Sequence, residues 1–177
     1  LYTTGVLVMD VNFELKPWIL DYAEDFAENA NNADISEYMR DAFPHPCTKD
    51  DAEKLIKMFM KKDGKELYAR AIVVNNHAVG NVGIFLKEDI YRKSAEIAYW
   101  ISEKYRGSGI VTKAINESIQ YVFEHFDVIR IFAEPFADNS ASRRVLEKNG
   151  FQLEGIMRKS VYKRGVVHDS CMYALVR

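Results

Sequence analysis

The hydrophobic pattern of the chain changes period along its length. Residues 6–18 (VLVMDVNFELKPW) read as a strand that stops at Pro17, which has no N–H to give to a ladder. Leu20, Ala23, Phe26, Ala27 and Ala30 then recur at helical spacing. A second short helix is expected over 35–42, before the break at Pro44 and Pro46. Thr48 is placed as an N-cap, and Ala52, Leu55, Ile56, Phe59 and Met60 form a stripe down the helix that follows. These helices are expected together on one side of a sheet.

From residue 67 the period is that of strands. Leu67–Val74 and Ala78–Leu86 are joined at Asn75–Asn76–His77, a hairpin signal, and AEIAYWI (Ala95–Ile101) is the next strand. The helix after Gly109 buries Val111, Ala114, Ile115, Ile119, Val122 and Phe123. Val128–Glu134 is a further strand, and Asn139–Asn149 a helix ended by Gly150. Phe151–Lys163 and Val166–Val176 close the chain as a hairpin turning at Lys163–Arg164–Gly165. This order of elements predicts an α+β, mixed α/β domain with a largely antiparallel sheet, one domain over residues 1–177.

Composition narrows the function classes. Hydrophobic residues make up 48% and charged residues 28%, as in ordinary globular proteins, and a net charge of -2 provides no general basic field for nucleic acid. Cys47 and Cys171 lack CxxC or metal-ligand spacing and read as free thiols in a reducing compartment. The four histidines form no metal-ligand cluster. No apolar run reaches membrane-span length, and the start (LYTTGVLVMD) lacks the regions of a signal peptide. The expectation is a cytoplasmic protein with no nucleic-acid or membrane partner and no metal.

The most informative segment is Tyr105–Ala114 (YRGSGIVTKA), which follows a strand and runs into an amphipathic helix. A helix N-terminus presents unpaired N–H groups and a partial positive charge, and glycines let an anion approach the backbone. The plainer reading is a tight turn feeding a helix. A P-loop is excluded because Thr112–Lys113 come in the wrong order, and a G-x-G-x-x-G fingerprint because Thr112 takes its third glycine position.

The stretch AEIAYWISEKYRGSGIVTKA resembles the central motif of the GCN5-related N-acetyltransferases, R/Q-x-x-G-x-G/A after a strand. Arg106 and Gly109 match it, while Val111 replaces the usual Gly or Ala. ADNSASRRVLEKNGFQLEGIMR resembles the family's second motif through Asn139, Ser142, Lys148, Gly150 and Phe151. FELKPW, FPHPCTKDDAEKLI and KRGVVHDSCMYALV are similar to the ribosomal-protein (RimJ/RimL-like) branch. The resemblance implies an acyl-CoA N-acyltransferase fold: a seven-stranded sheet splayed between strands four and five, with helices on both faces. It implies acetyl-CoA as co-substrate, its diphosphate on the amides of Arg106, Gly107, Ser108, Gly109, Ile110 and Val111. The pantetheine arm would pair with backbone near Trp100 and Ile101 and meet Asn139, whose alternative role is a helix cap.

Acetyl transfer to nitrogen needs a neutral amine. A lysine-type amine with a pKa of about 10.4 is neutral about once in 2,500 molecules at pH 7, a cost of about 4.6 kcal/mol; an α-amine carries only about 1.1 kcal/mol. Glu96 is the candidate base: it shares a strand face with Ala98 and Trp100, while Ile97, Tyr99 and Ile101 take the other. The alternative is that Glu96 is solvated or ion-paired. A strand N–H near Tyr99–Ile101 is the candidate oxyanion donor. Many family members carry a Tyr seven residues after the Asn; here that position is Leu146, which leaves Ser142 as the candidate acid for the departing thiolate. Arg143 and Arg144 could reach phosphates or stay solvated, and His45, His168 and Asp169 could border the acceptor or be structural. The implied activity is acetyl transfer to a primary amine, either a protein N-terminus or a small molecule. A non-catalytic acyl-CoA sensor on the same fold is the alternative.

Overall fold

The computed structural model describes residues 11–177. Seven strands form one sheet: β1 (Glu14–Pro17), β2 (Leu67–Val74), β3 (His77–Leu86), β4 (Ser94–Ile101), β5 (Arg130–Ala133), β6 (Gln152–Lys163) and β7 (Val166–Val176). Their order is β1-β2-β3-β4-β5-β7-β6, and every neighbouring pair is antiparallel except β4 and β5. The helices are α1 (Ala23–Ala30), α2 (Ala33–Glu37), α3 (Lys49–Lys62), α4 (Ile110–His125) and α5 (Ser140–Lys148).

Each face of the sheet has its own core. On one, Phe26 of α1 and Ile56 and Phe59 of α3 pack on Ala69, Ala71 and Trp100. On the other, Ala114, Ile115 and Val122 of α4 and Leu146 of α5 pack on Ile72, Ile84 and Ile97. Alternation along a strand sends successive side chains to opposite cores. This puts Trp100 in the first and Ile97 in the second.

The feature that shapes the site is where β4 and β5 part. They pair only at Ser94–Arg130, Ala95–Ile131 and Glu96–Phe132, whereas β4 stays paired with β3 as far as Ile101. Beyond Ala133 the chain follows β7: Cys171 donates its N–H to Pro135 O (2.8 Å) and Ala137 donates to Asp169 O (2.9 Å). Pro135 has no N–H for a continued ladder. The half of β4 from Ile97 to Ile101 therefore has no strand on its β5 side.

Several expected boundaries shift for local reasons. Of the strand read over 6–18, residues 6–10 lie outside the described residues, and β1 occupies only Glu14–Pro17. The helix expected over 35–42 is α2, which starts earlier because Asn32 Oδ1 accepts from the amides of Asp34 and Ile35. It ends at Glu37, and residues 38–43 are turns and loop rather than helix. Thr48 caps α3 in a reciprocal box with Asp51, but Met60 is 51% exposed, on the solvent edge of the expected stripe. β5 is shorter than Val128–Glu134. Arg164 and Gly165, both at positive φ, form the β6–β7 turn, as Asn75 and Asn76 do between β2 and β3.

Candidate active site

The start of α4 is shaped by its glycines. Gly109 is the N-cap residue at φ 80 and Gly107 lies at φ 73, where a side chain is strained. A Cβ at either would meet nothing within 4 Å, so the space before the loop is open. Among the described residues, the N–H groups of Gly107, Gly109, Val111 and Thr112 have no hydrogen-bond partner. The Ile110 amide reaches only Ser108 Oγ at 3.4 Å, and the Ser108 amide only Tyr105 O at 3.4 Å. The Arg106 N–H is taken by Glu103 O at 3.1 Å. With the dipole of the four-turn α4 behind them, the unpaired amides present free donors and a partial positive charge. The Thr112 amide is one of these donors and was not among the expected residues.

A groove of about 530 Å³ runs from this loop along the unpaired half of β4. Trp100, Ile101, Arg106, Gly107, Val111, Asn139 and Ser142 all line it, joined by Asp34, Tyr38, Met39 and Tyr99. Ser108, Gly109 and Ile110 do not line its wall, and the Ile110 side chain is core. Arg106 Nη1 lies 3.2 Å from Asp34 Oδ2, tying the loop to α2.

Asn139 caps α5: its Oδ1 accepts from the Ser142 amide at 3.1 Å, which leaves Nδ2 available to the groove. Ser142 Oγ lies 2.7 Å from the Tyr99 hydroxyl, which also approaches Ser142 O at 3.2 Å. Burial pushes the Tyr99 hydroxyl up to about 12, the hydrogen bond to Ser142 offsetting part of the rise. Tyr99 was expected to contribute only backbone. Leu146, where a tyrosine was the family expectation, is fully buried in the core.

Glu96 lies outside this groove, in a second cavity of about 390 Å³ between the sheet, α1, α3 and residues 39–43. Met39 and Trp100 line both cavities and form their common wall. Lys87 Nζ lies 2.6 Å from Glu96 Oε2, and Arg40 Nη2 donates to Oε1. Both carboxylate oxygens are therefore held by cations. The ion-paired alternative describes the geometry of Glu96, and its alternation with Ala98 and Trp100 is as expected.

Most of the remaining polar candidates have structural contacts. Arg143 donates to Tyr173 Oη (3.0 Å) and Ala137 O (2.9 Å), and Arg144 only approaches Ser140 O at 3.4 Å. His45 is exposed and lines neither cavity. His168 packs on Phe136, and Asp169 Oδ1 accepts from the Lys159 amide at 2.7 Å. Cys47 and Cys171 are both free and buried. Among the described residues no group of three or more His, Cys, Asp or Glu could hold a metal, and no helix is long and apolar enough to cross a membrane.

A mixed seven-stranded sheet parted between β4 and β5, with an open-amide helix start at the mouth of the gap, is the architecture of N-acyltransferases. The chain belongs to the GNAT acetyltransferase family: the model of the acetyltransferase (GNAT) domain matches residues 12–152. It is similar to the ribosomal-protein-serine acetyltransferase of Escherichia coli (strain K12), 31% identical over 84 residues, 48% of this chain and 47% of that one. The chain spans about half the length of the first curated relatives it matches. Among solved structures, the microcin C7 self-immunity acetyltransferase MccE in complex with acetyl-CoA and AMP superposes with a TM-score of 0.81 at 27% identity, covering 99% of this chain and 98% of that one. RimL, the ribosomal L7/L12 alpha-N-protein acetyltransferase, in complex with coenzyme A, shares the fold with a TM-score of 0.83 at 23% identity, covering 97% of each chain.

Proposed function

We propose that this chain is a cytoplasmic, acetyl-CoA-dependent N-acetyltransferase that acts on a primary amine, a protein N-terminus or a small molecule, by direct attack. The observation that carries this reading is the set of unpartnered amides at the start of α4, next to a groove along the open half of β4 that Gly107 and Val111 line. The amides of Gly107 to Thr112, with the Arg106 guanidinium, would hold the diphosphate. The free edge of β4 at Trp100 and Ile101 and the Asn139 Nδ2 would hold the pantetheine arm. Acetyl-CoA, when bound, supplies an activated thioester carbonyl to the amine.

Ser142 Oγ is the proton source for the departing sulfur, and its bond to Tyr99 fixes where the hydroxyl sits. Glu96 is the proton acceptor for the amine, directly or through water; to act, one oxygen must exchange a cation for the amine's proton. The name of the Escherichia coli relative motivates a protein α-amine as one acceptor class. Such an amine also makes the smallest demand on a base that is already ion-paired. The test is coenzyme A binding followed by acetyl-CoA turnover over peptides and small amines. Coenzyme A at about 100 times its Kd should stabilise the fold by about 2.7 kcal/mol. No gain in heat stability would remove the reading. The doubly paired Glu96 and the buried Leu146 favour a second reading, an acyl-CoA sensor without catalysis. Saturable binding with no transfer to any amine would select it.

A further inference from the structure

The cavity beside Glu96 is specific in what it offers an acceptor, and the inference drawn from it rests on the acyltransferase reading above. We infer that the acceptor is a monoamine on an apolar, ring-sized body that carries an oxygen acceptor such as a carboxylate, and that it is not a polyamine or other polycation.

The walls set the body. Phe26, Phe43 and Trp100 line the cavity with ring centroids 5.2 to 6.4 Å apart. Its floor is two strand rows, Asn81–Gly83–Phe85 on β3 opposite Trp100–Ala98–Glu96 on β4. Of the middle pair, Ala98 is small and lines the cavity, while the Phe85 ring lies over Gly83. A Cβ at Gly83 would stand 3.0 Å from the Phe85 ring, so the glycine is what lets this aromatic wall lie flat on β3.

The polar groups set the rest. Asn81 is almost fully buried, and its Oδ1 accepts from Trp18 Nε1 at 2.8 Å. An indole N–H can only donate, which fixes the amide with Nδ2 as its remaining arm. Among the described residues Nδ2 has no partner, yet it is not sealed from solvent-sized space. A donor left unpaired in an apolar cavity is matched by an acceptor oxygen on whatever fills it. The charges agree: Arg40, Lys87 and Glu96 are the charged residues on the lining, a net charge of +1, and both Glu96 oxygens are engaged. An anionic oxygen is favoured there, and a second ammonium has no free carboxylate to meet.

The experiment compares L-phenylalanine, 2-phenylethylamine and spermidine as acceptors with acetyl-CoA, after coenzyme A binding has been established by heat stability. The expected result is kcat/KM for L-phenylalanine at least tenfold above both others. Asn81→Asp keeps the oxygen that Trp18 needs but replaces the donor by a negative oxygen, and should erase that preference while leaving coenzyme A binding within twofold. A preference for spermidine, equal use of 2-phenylethylamine, or no turnover of any of the three by a chain that acetylates other amines would overturn the inference. Failure to bind coenzyme A, or binding with no transfer to any amine, would instead overturn the reading beneath it. The wild-type comparison needs no variant to fold.

Discussion

The hydroxyl oxygens of Tyr99 and Ser142 lie 2.7 Å apart, joining the open half of β4 to the first turn of α5 across the parted sheet. The contact exists because β4 has lost its neighbour beyond Glu96, so that Tyr99 faces α5. Tyr99→Phe removes the partner that orients the Ser142 hydroxyl while keeping the ring. The expected outcome is a fall in kcat of about tenfold, equivalent to about 1.4 kcal/mol, with acetyl-CoA affinity little changed. Ser142→Ala should fall by a similar factor, and the double variant by less than the product of the two. Steady-state kinetics of the cycle check this; full additivity would separate the two hydroxyls.

The same tyrosine predicts an alkaline weakness. Its hydroxyl is pushed up from 10.0 to about 12 by burial, so the folded chain holds the proton more tightly than the unfolded one. Its contribution is fully present below pH 10 and is lost as pH rises through 12. A two-unit difference corresponds to about 2.7 kcal/mol at the limit. Urea midpoints at pH 9 and near pH 12 should drop less in Tyr99→Phe than in the wild type.

Glu96 is asked to take a proton while Lys87 and Arg40 hold both its oxygens. Glu96→Gln keeps the shape and removes the proton acceptor. A loss of kcat of about a hundredfold is expected, within the range of general-base catalysis, with coenzyme A binding retained. Full turnover across the pH range would leave Glu96 as an ion-pair anchor only.

The loop before α4 offers a backbone test. Gly109→Ala meets no atom within 4 Å but must adopt φ 80, a strain of about 1 kcal/mol. The amides it redirects are those proposed to face the diphosphate, so coenzyme A Kd should rise about tenfold. Gly155→Ala, also in open space but without a positive φ, is the control and should change stability by less than about 0.5 kcal/mol. Calorimetric titration with coenzyme A distinguishes the two.

Much of this arrangement was legible because it is local. The alternation of AEIAYWI separated Glu96 and Trp100 from Tyr99 and Ile101, and the structure keeps that division between the two cores. The Gly109–Ile110 junction showed a helix start, and Val166–Val176 was read with its observed bounds. What could not be read is non-local. Lys87 and Arg40 meet Glu96 from 9 and 56 positions away, and nothing in the strand's own pattern announces either. Tyr99 was read only for its backbone N–H, since the role of its hydroxyl depends on β5 stopping short. Asn81, a polar residue within an apolar strand, carried a signal of its own. The start of α2 was missed because the Asn32 side chain outweighs the weak apolar periodicity of residues 35–42.

The wall shared by the two cavities is held from a distance, and this gives the last prediction. Met39 sits in residues 38–43, which have no helix or strand to fix them. Lys163, at the end of β6, donates from Nζ to Met39 O and to Asp41 Oδ1, each at 2.8 Å. Its side chain is 9% exposed, whereas that of Asp41 is 85% exposed. The bond to the Met39 carbonyl is therefore the shielded one, and the ion pair contributes little beyond it. Arg164 adds bonds of 2.7 Å to Glu37 and Ser36, so the hairpin turn grips the end of α2 as well as the middle of the segment. Lys163→Met fills the same space but leaves the Met39 carbonyl without its donor. A stability loss of about 1 to 2 kcal/mol is expected. The sharper consequence is kinetic: a looser Met39, which lines both cavities, should raise acceptor KM several-fold and weaken coenzyme A binding by less, while kcat at saturation stays near wild type. Asp41→Asn, which removes only the exposed charge, should change neither. If Lys163→Met lowers kcat and coenzyme A affinity as much as it raises acceptor KM, the turn supports the whole fold and not the acceptor wall.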